Sequence, residues 1–151
     1  MIPFWLKHSL DREHGGQFTC LDRDGAIWDT KKYLWLQGRA VWMFARLYNE
    51  WERRPEYLDA ARLIVDFIRR HAFDERGRVW FSLTREGLPF AFQRKPFGAV
   101  FCMMGLLEYA RAADDDGCRG ERDRTESHRS RLEHGIPQRA VASFGELNEV
   151  H

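Results

Sequence analysis

No stretch of this 151-residue chain approaches the roughly 20 consecutive apolar residues needed to cross a bilayer, which excludes a transmembrane helix. The opening run, Met1-Ile2-Pro3-Phe4-Trp5-Leu6-Lys7-His8, lacks the basic region and sustained apolar core of a secretory signal. An excess of one charge is lacking too. With 24 Lys and Arg against 23 Asp and Glu the formal net charge is +1, so no global field draws nucleic acid or a membrane surface to the protein. Cysteine is scarce: Cys20, Cys102 and Cys118 are odd in number and show neither paired nor metal-ligand spacing. That argues against a disulfide framework and points to a reducing, cytoplasmic home. Aromatic residues run out toward the end, where Phe144 is the only one from Asp114 to His151. Such a segment, rich in charges of both signs, cannot offset its ordering entropy by burial. The chain therefore divides into 1–113 and a tail, 114–151, that is expected to be disordered.

What remains is ample for a core, because 44% of the residues are hydrophobic and 14% aromatic. Leu34 to about Trp51 is apolar nearly all the way round, as in a helix covered on every side. Tyr57 to about Ala72 is amphipathic, with Asp59, Arg62, Asp66 and Arg69 opposite Leu58, Ala61, Ile64, Val65 and Ile68. Phe97 to about Ala112 returns to the first kind. The order is inner, outer, inner, with Pro55 separating the first two, and Met1 to Ser9 reads as the end of an earlier outer helix.

Between the helices lie two similar connectors. Gly15, Phe18, Leu21, Arg23 and Gly25 recur as Gly77, Trp80, Leu83, Arg85 and Gly87, an offset of 87 minus 25, or 62 residues. Alternation over Gln17–Leu21 and Val79–Leu83, with turns at Asp22-Arg23-Asp24-Gly25 and Thr84-Arg85-Glu86-Gly87, predicts hairpins near 17–28 and 79–92. The repeating unit is outer helix, hairpin, inner helix. A unit that cannot cover its own inner helix must stack on copies of itself.

Tyr33-Leu34-Trp35-Leu36-Gln37-Gly38-Arg39-Ala40-Val41-Trp42 places an arginine and a glutamine among large aromatics. In a helix starting near Leu34, the residues Trp35, Arg39, Trp42, Met43 and Arg46 share one stripe. Two readings of Arg39 follow. One is an internal salt bridge or a cation-π stack on Trp35 or Trp42. The other is the polar floor of an aromatic-walled sugar pocket, where rings stack on pyranose faces while Arg and Gln bind oxygens.

The runs Asp11-Arg12-Glu13-His14-Gly15-Gly16-Gln17-Phe18-Thr19-Cys20-Leu21 and Lys32-Tyr33-Leu34-Trp35-Leu36-Gln37-Gly38-Arg39 closely resemble the N-terminal part of the N-acylglucosamine 2-epimerase family, also called renin-binding protein. The likeness runs from about Phe4 to about Ala112. It implies an all-α fold with short β-hairpins, a partial (α/α)6 barrel of which only the first third is present, with 114–151 outside the pattern. It further implies interconversion of N-acetylglucosamine and N-acetylmannosamine in amino-sugar and sialic acid metabolism. A homodimer, ATP or another nucleotide as activator with no required cofactor, and renin as a partner belong to the same implication. By this resemblance Arg39, Trp35 and Gln37 bind substrate.

Inverting C2 of a 2-acetamido sugar requires ring opening, removal of the proton beside the C1 aldehyde, and its return to the opposite face. Two histidines suit this, since an unperturbed pKa of about 6.5 serves both directions at neutral pH. A cation beside the oxygen that gains negative charge lowers the barrier. In the family the catalytic pair lies beyond the point where this chain leaves the pattern, so none of its own histidines is assigned to catalysis. His14 reads as a turn residue, His8 and His71 as last-turn cations, and His128, His134 and His151 as exposed tail residues without metal-pair spacing. Gly98 and Ala99 stand where relatives tend to carry a polar pair such as Ser-Glu, which removes a natural carboxylate partner for Arg39. The paired acids Asp22 with Asp24 and Glu50 with Glu52 read as solvated faces. Two alternatives remain: a cellobiose 2-epimerase or aldose-ketose isomerase of the same superfamily, and a noncatalytic interaction fragment. In either case the chain alone is expected to lack a complete active site.

Overall fold

Helix and hairpin alternate twice along the chain. In the computed structural model, which describes residues 1–93 and 95–120, α1 (Ile2–His8) is followed by a hairpin of β1 (Cys20–Leu21) and β2 (Ile27–Asp29). A short strand, β3 (Lys32–Tyr33), leads into α2 (Leu34–Arg46), which ends in one π-helical turn at Leu47–Trp51. Then come α3 (Pro55–His71), a second hairpin of β4 (Ser82–Leu83) and β5 (Pro89–Ala91), and α4 (Phe97–Gly120). Pro55 starts α3, because the first turn needs no amide hydrogen there and the ring presets φ. The fold is mostly helical with small sheets, as expected. Two boundaries differ. The regular strands are shorter than the expected hairpins, and α4 runs on to Gly120. Ala110-Arg111-Ala112-Ala113 favours helix and no breaker occurs before Gly117, so the irregular chain expected from Asp114 does not begin there. Residues 121–151, with His128, His134 and His151, lie outside the described residues.

The repeat is present in the hydrogen bonding as well as in the sequence. Cys20 pairs with Asp29 and Leu21 with Ile27, while 62 residues on Ser82 pairs with Ala91 and Leu83 with Pro89, with a register shift at the same place in both hairpins. Asp22 N–H bonds Ala26 carbonyl at 2.8 Å, and Thr84 N–H bonds Leu88 carbonyl at 2.8 Å. Each hairpin turn carries a glycine in the left-handed region, Gly25 at φ +92° and Gly87 at φ +97°. Against each packs the last histidine of the preceding outer helix, His8 on Gly25 and His71 on Gly87. Those rings lie 5.0 Å from Phe4 and 4.9 Å from Phe67, so the two histidines are wedges between outer helix and hairpin. Burial holds His71 below the usual histidine range, as a packing role requires.

The core forms where α2 meets α3 on one side and α4 on another, around Leu34, Val41, Phe44, Ile64, Phe67, Ile68 and Cys102. α3 buries Leu58, Ala61, Ile64, Val65 and Ile68 and exposes Asp59, Arg62 and Asp66, as its amphipathic pattern predicts. α2 departs from expectation. Arg39, Trp42 and Arg46 are exposed, because among the described residues α2 has neighbours on only part of its circumference. Its contact with α4 is close enough to need glycine. A Cβ on Gly38 would overlap the Phe101 backbone, and one on Gly105 would overlap the Gly38 carbonyl. At the far end Asn49 Nδ2 donates to Glu108 Oε1 at 2.7 Å, fastening the π-turn to α4. One connection was not legible in the pattern: β3 pairs with β4, Lys32 with Leu83 and Tyr33 with Ser82, so the strand entering the first inner helix joins the second unit's hairpin.

Candidate functional site

Trp35 and Arg39 lie one turn apart on α2 and therefore on one face. The close approach at Gly38 brings Phe101 of α4 to the same place. Trp35 and Phe101 have ring centroids 6.1 Å apart with planes at 52°, and the Arg39 guanidinium carbon lies 5.8 Å from each centroid. Arg39 is exposed and forms no ion pair among the described residues. A cation-π stack on Trp35, one of the two readings above, is thus in place. It does not consume the guanidinium, whose in-plane N–H groups remain available to a ligand's oxygens. Gly98 puts no side chain here, and a Cβ at that position would meet Val79 and the Trp80 carbonyl, not Arg39.

Gln37, expected to bind substrate, is used otherwise. It is wholly buried, its Oε1 accepts the Gln17 amide at 2.8 Å and its Nε2 donates to the Gln17 carbonyl at 2.7 Å. Its side-chain amide completes the main chain of the loop before β1, and neither polar atom faces open space. The physical reason is general: a buried backbone pair needs partners, and an amide side chain supplies both at once.

A second cluster escaped the sequence reading. Lys32, on β3, is 0% exposed. Its ammonium donates to Asp11 Oδ2 at 2.9 Å, to the Arg85 carbonyl at 2.8 Å and to the Gly15 carbonyl, and lies 4.4 Å from the Phe67 ring centroid. Asp11 also accepts Arg85 Nε at 3.0 Å and Nη2 at 3.2 Å, and Arg85 reaches Glu13 at 2.7 Å. Burial alone would raise the Asp11 carboxyl, but the hydrogen bonds from Arg85, Lys32 and the His14 amide, with the Lys32 charge, hold it well below the usual carboxylate range. Desolvation pulls Lys32 below its own usual value, against the attraction of Asp11. With the carboxylate satisfied on every side, this cluster is a fastener between the two units and has no free group for chemistry. Asp11, Glu13 and Lys32 sit in the two runs that carry the family likeness, the one signal that could have singled them out, while Arg85 lies outside both.

His14 lies beside Glu13, its Nε2 3.6 Å from Glu13 Oε1, near the surface of that fastener. Cys102 is buried and its thiol is pushed up to about 12 by burial, so it is an inert core residue. Among the described residues no three His, Cys, Asp or Glu side chains gather closely enough to hold a metal ion, and no helix is long and apolar enough to cross a membrane.

Against known proteins, the N-acylglucosamine 2-epimerase (GlcNAc 2-epimerase) family matches residues 16–138, continuing past Asp114. N-acylglucosamine 2-epimerase of Mus musculus is 49% identical over 112 residues, 72% of this chain and 27% of the mouse protein. The Bos taurus enzyme of the same name is 46% identical over 119 residues, 76% of this chain and 28% of its own length. Among solved structures, a sugar epimerase from a ruminal bacterium superposes with a TM-score of 0.67 at 29% identity, covering 77% of this chain and 30% of that one. The chain therefore spans under a third of the relatives it matches. With a family match across residues 16–138 and relatives of that name at 46–49% identity over about three-quarters of its length, the chain belongs to the N-acylglucosamine 2-epimerase family.

Proposed function

We propose that this chain supplies one wall of the sugar pocket of an N-acylglucosamine 2-epimerase acting on N-acetylglucosamine and N-acetylmannosamine. The observation that carries the proposal is Arg39, an exposed guanidinium seated against Trp35 and Phe101 with no carboxylate partner among the described residues. Ring faces of that kind stack on the C–H faces of a pyranose, and the guanidinium donates to hydroxyl or acetamido oxygens. In the open-chain sugar the same cation would stabilise negative charge developing at C1 or C2 oxygen. Trp35 and Arg39 remain the binding residues, and Phe101 joins them in place of Gln37.

The rest of the reading is drawn from the family. It comprises a closed (α/α)6 barrel, a histidine pair supplied by parts of the relatives that this chain does not span, a homodimer, and a nucleotide such as ATP as activator. A cytoplasmic role in sialic acid metabolism and an association with renin come from the same source. The N-acyl enzyme is favoured over a disaccharide epimerase because identity to N-acylglucosamine 2-epimerases reaches 49%, against 26% for the cellobiose 2-epimerase of Bacteroides fragilis.

Saturation-transfer NMR of N-acetylmannosamine with residues 1–151 tests the wall directly. Transfer to the acetamido and ring protons is expected with the wild-type chain, and its loss in Arg39→Ala with an unchanged circular dichroism spectrum. Equal transfer to both proteins would remove Arg39 from the site.

A further inference from the structure

His71, the last residue of α3, stands where three parts of the fold meet. Its half-buried imidazole lies flush against Gly87 of the second hairpin turn and leaves no room there for a Cβ. The ring is also 4.9 Å from the Phe67 centroid, and the Lys32 ammonium lies 4.4 Å from that same centroid. Charges of both signs surround this point. Arg70 precedes His71 on α3, Lys32 comes from β3, Arg85 and Glu86 from the hairpin turn, and Asp11, Glu13 and His14 from the 11–16 loop. The acids are engaged elsewhere: Asp11 holds Lys32 and Arg85, Glu13 holds Arg85, and Glu86 bonds Thr84. Among the described residues no carboxylate bonds the imidazole, so a protonated His71 would be a second cation on the Phe67 ring without a counter-ion. Burial, with the charges of Arg70 and Lys32, accordingly holds His71 below the usual histidine range.

The turn on which His71 presses is a mount for other parts of the chain. Arg85, two residues before Gly87, gives its guanidinium to Asp11, and its carbonyl accepts the Lys32 ammonium. β4 holds β3, and the Phe81 carbonyl accepts the Leu34 amide that opens α2 at 3.0 Å. We propose that His71 is an acid-released latch: neutral, it seats the β4–β5 hairpin on the end of α3, and protonated, it frees the hairpin while the helices stay packed. The sign follows from the two states. With the hairpin open the imidazole is in water at its ordinary value of about 6.5, and with the hairpin closed it is held lower, so the open state takes the proton first as pH falls. Opening therefore grows by up to about 10-fold per pH unit from about pH 6.5 down to the closed-state value, and then levels off. Asp11 acts in a lower window, below about pH 4.

Amide exchange followed by NMR on residues 1–151 from about pH 8 to about pH 5, corrected for intrinsic rates, reads the hairpin directly. The Phe81 and Thr84 amides, which bond the Ala91 and Leu88 carbonyls at 2.9 and 2.8 Å, should lose protection with that slope. Amides within α3, such as Ile68, should keep theirs. The His71 ring protons should titrate with a midpoint below about 6.5. His71→Gln removes the titration and should flatten the Phe81 and Thr84 profiles, and His71→Phe, which keeps a ring against Gly87, is the second variant if the first does not fold. His8→Gln changes the matching wedge on Gly25 and should leave the Thr84 slope in place. Protection at Phe81 and Thr84 that does not change with pH in the wild-type chain would overturn the proposal. So would a His71 midpoint at or above about 6.5, a parallel loss along α3, or a slope that survives the His71 changes and so belongs to another group such as His14.

Discussion

Asp11 is the residue on which most polar contacts between the units converge, taking Lys32 and Arg85 in a site that is almost fully buried. Removing one partner of such a group is costlier than the pair is worth, because the remaining charge stays buried. Asp11→Asn should therefore lower the unfolding free energy by about 3–5 kcal/mol. Breaking the exposed Arg62–Asp59 pair should cost about 1 kcal/mol or less. Urea titrations followed by tryptophan fluorescence compare the two. The same residue sets the acid response. Its folded-state carboxyl lies below the unfolded value of about 4, so the unfolded chain binds the proton first as pH falls. The stability contributed by Asp11 is complete above about pH 4 and is lost on descending toward the folded value. In Asp11→Asn that part of the slope should vanish. At this scale the sequence was only partly legible. A lysine in a strand ordinarily reads as solvated, and nothing local announces that the 11–16 loop and the Thr84–Gly87 turn converge on it. Gln37 was misread for a related reason: a polar side chain on an apolar helix serves a ligand or the backbone, and only the path of the Gln17 loop decides between them.

Helix contacts decide where the site residues stand. Gly38 lets α4 approach until the Phe101 backbone touches α2, and that approach is what sets Phe101 beside Trp35 and Arg39. Gly38→Ala should cost about 1–3 kcal/mol through overpacking. It should also separate the Phe101 ring from Trp35, read as altered near-ultraviolet circular dichroism and weaker saturation transfer to the sugar. An unchanged stability would mean that the helices can slide apart freely and that the close contact is not needed. The helices and turns were legible because their signals are local: a 3.6-residue period, Pro55 at a helix start, and glycine at each turn. The β3–β4 pairing and the glycine contact were not, since each joins segments about 50 or more residues apart whose own patterns carry no register.

Among the described residues, the 62-residue repeat accounts for most of the architecture, because the two hairpins repeat each other's strand pairing and register shift, with β3 added to the second. The function is divided in a different way. The described residues assemble an aromatic and cationic wall, while each histidine among them is a wedge, as with His8 and His71, or sits beside a structural carboxylate, as with His14. Binding and proton transfer are thus separable claims, and the second is the sharper. Positioned acid-base groups typically contribute about 10² to 10⁴ each in rate, and no histidine among the described residues is placed for that work, so residues 1–151 are expected to be catalytically silent. The decisive measurement is proton exchange at C2: residues 1–151 incubated with N-acetylmannosamine and ATP in D₂O, with C2 deuteration and the appearance of N-acetylglucosamine followed by NMR. The account predicts no exchange above the protein-free control. Turnover at about 1 per second or faster would contradict it and place the proton transfer on His14 or another residue of this chain.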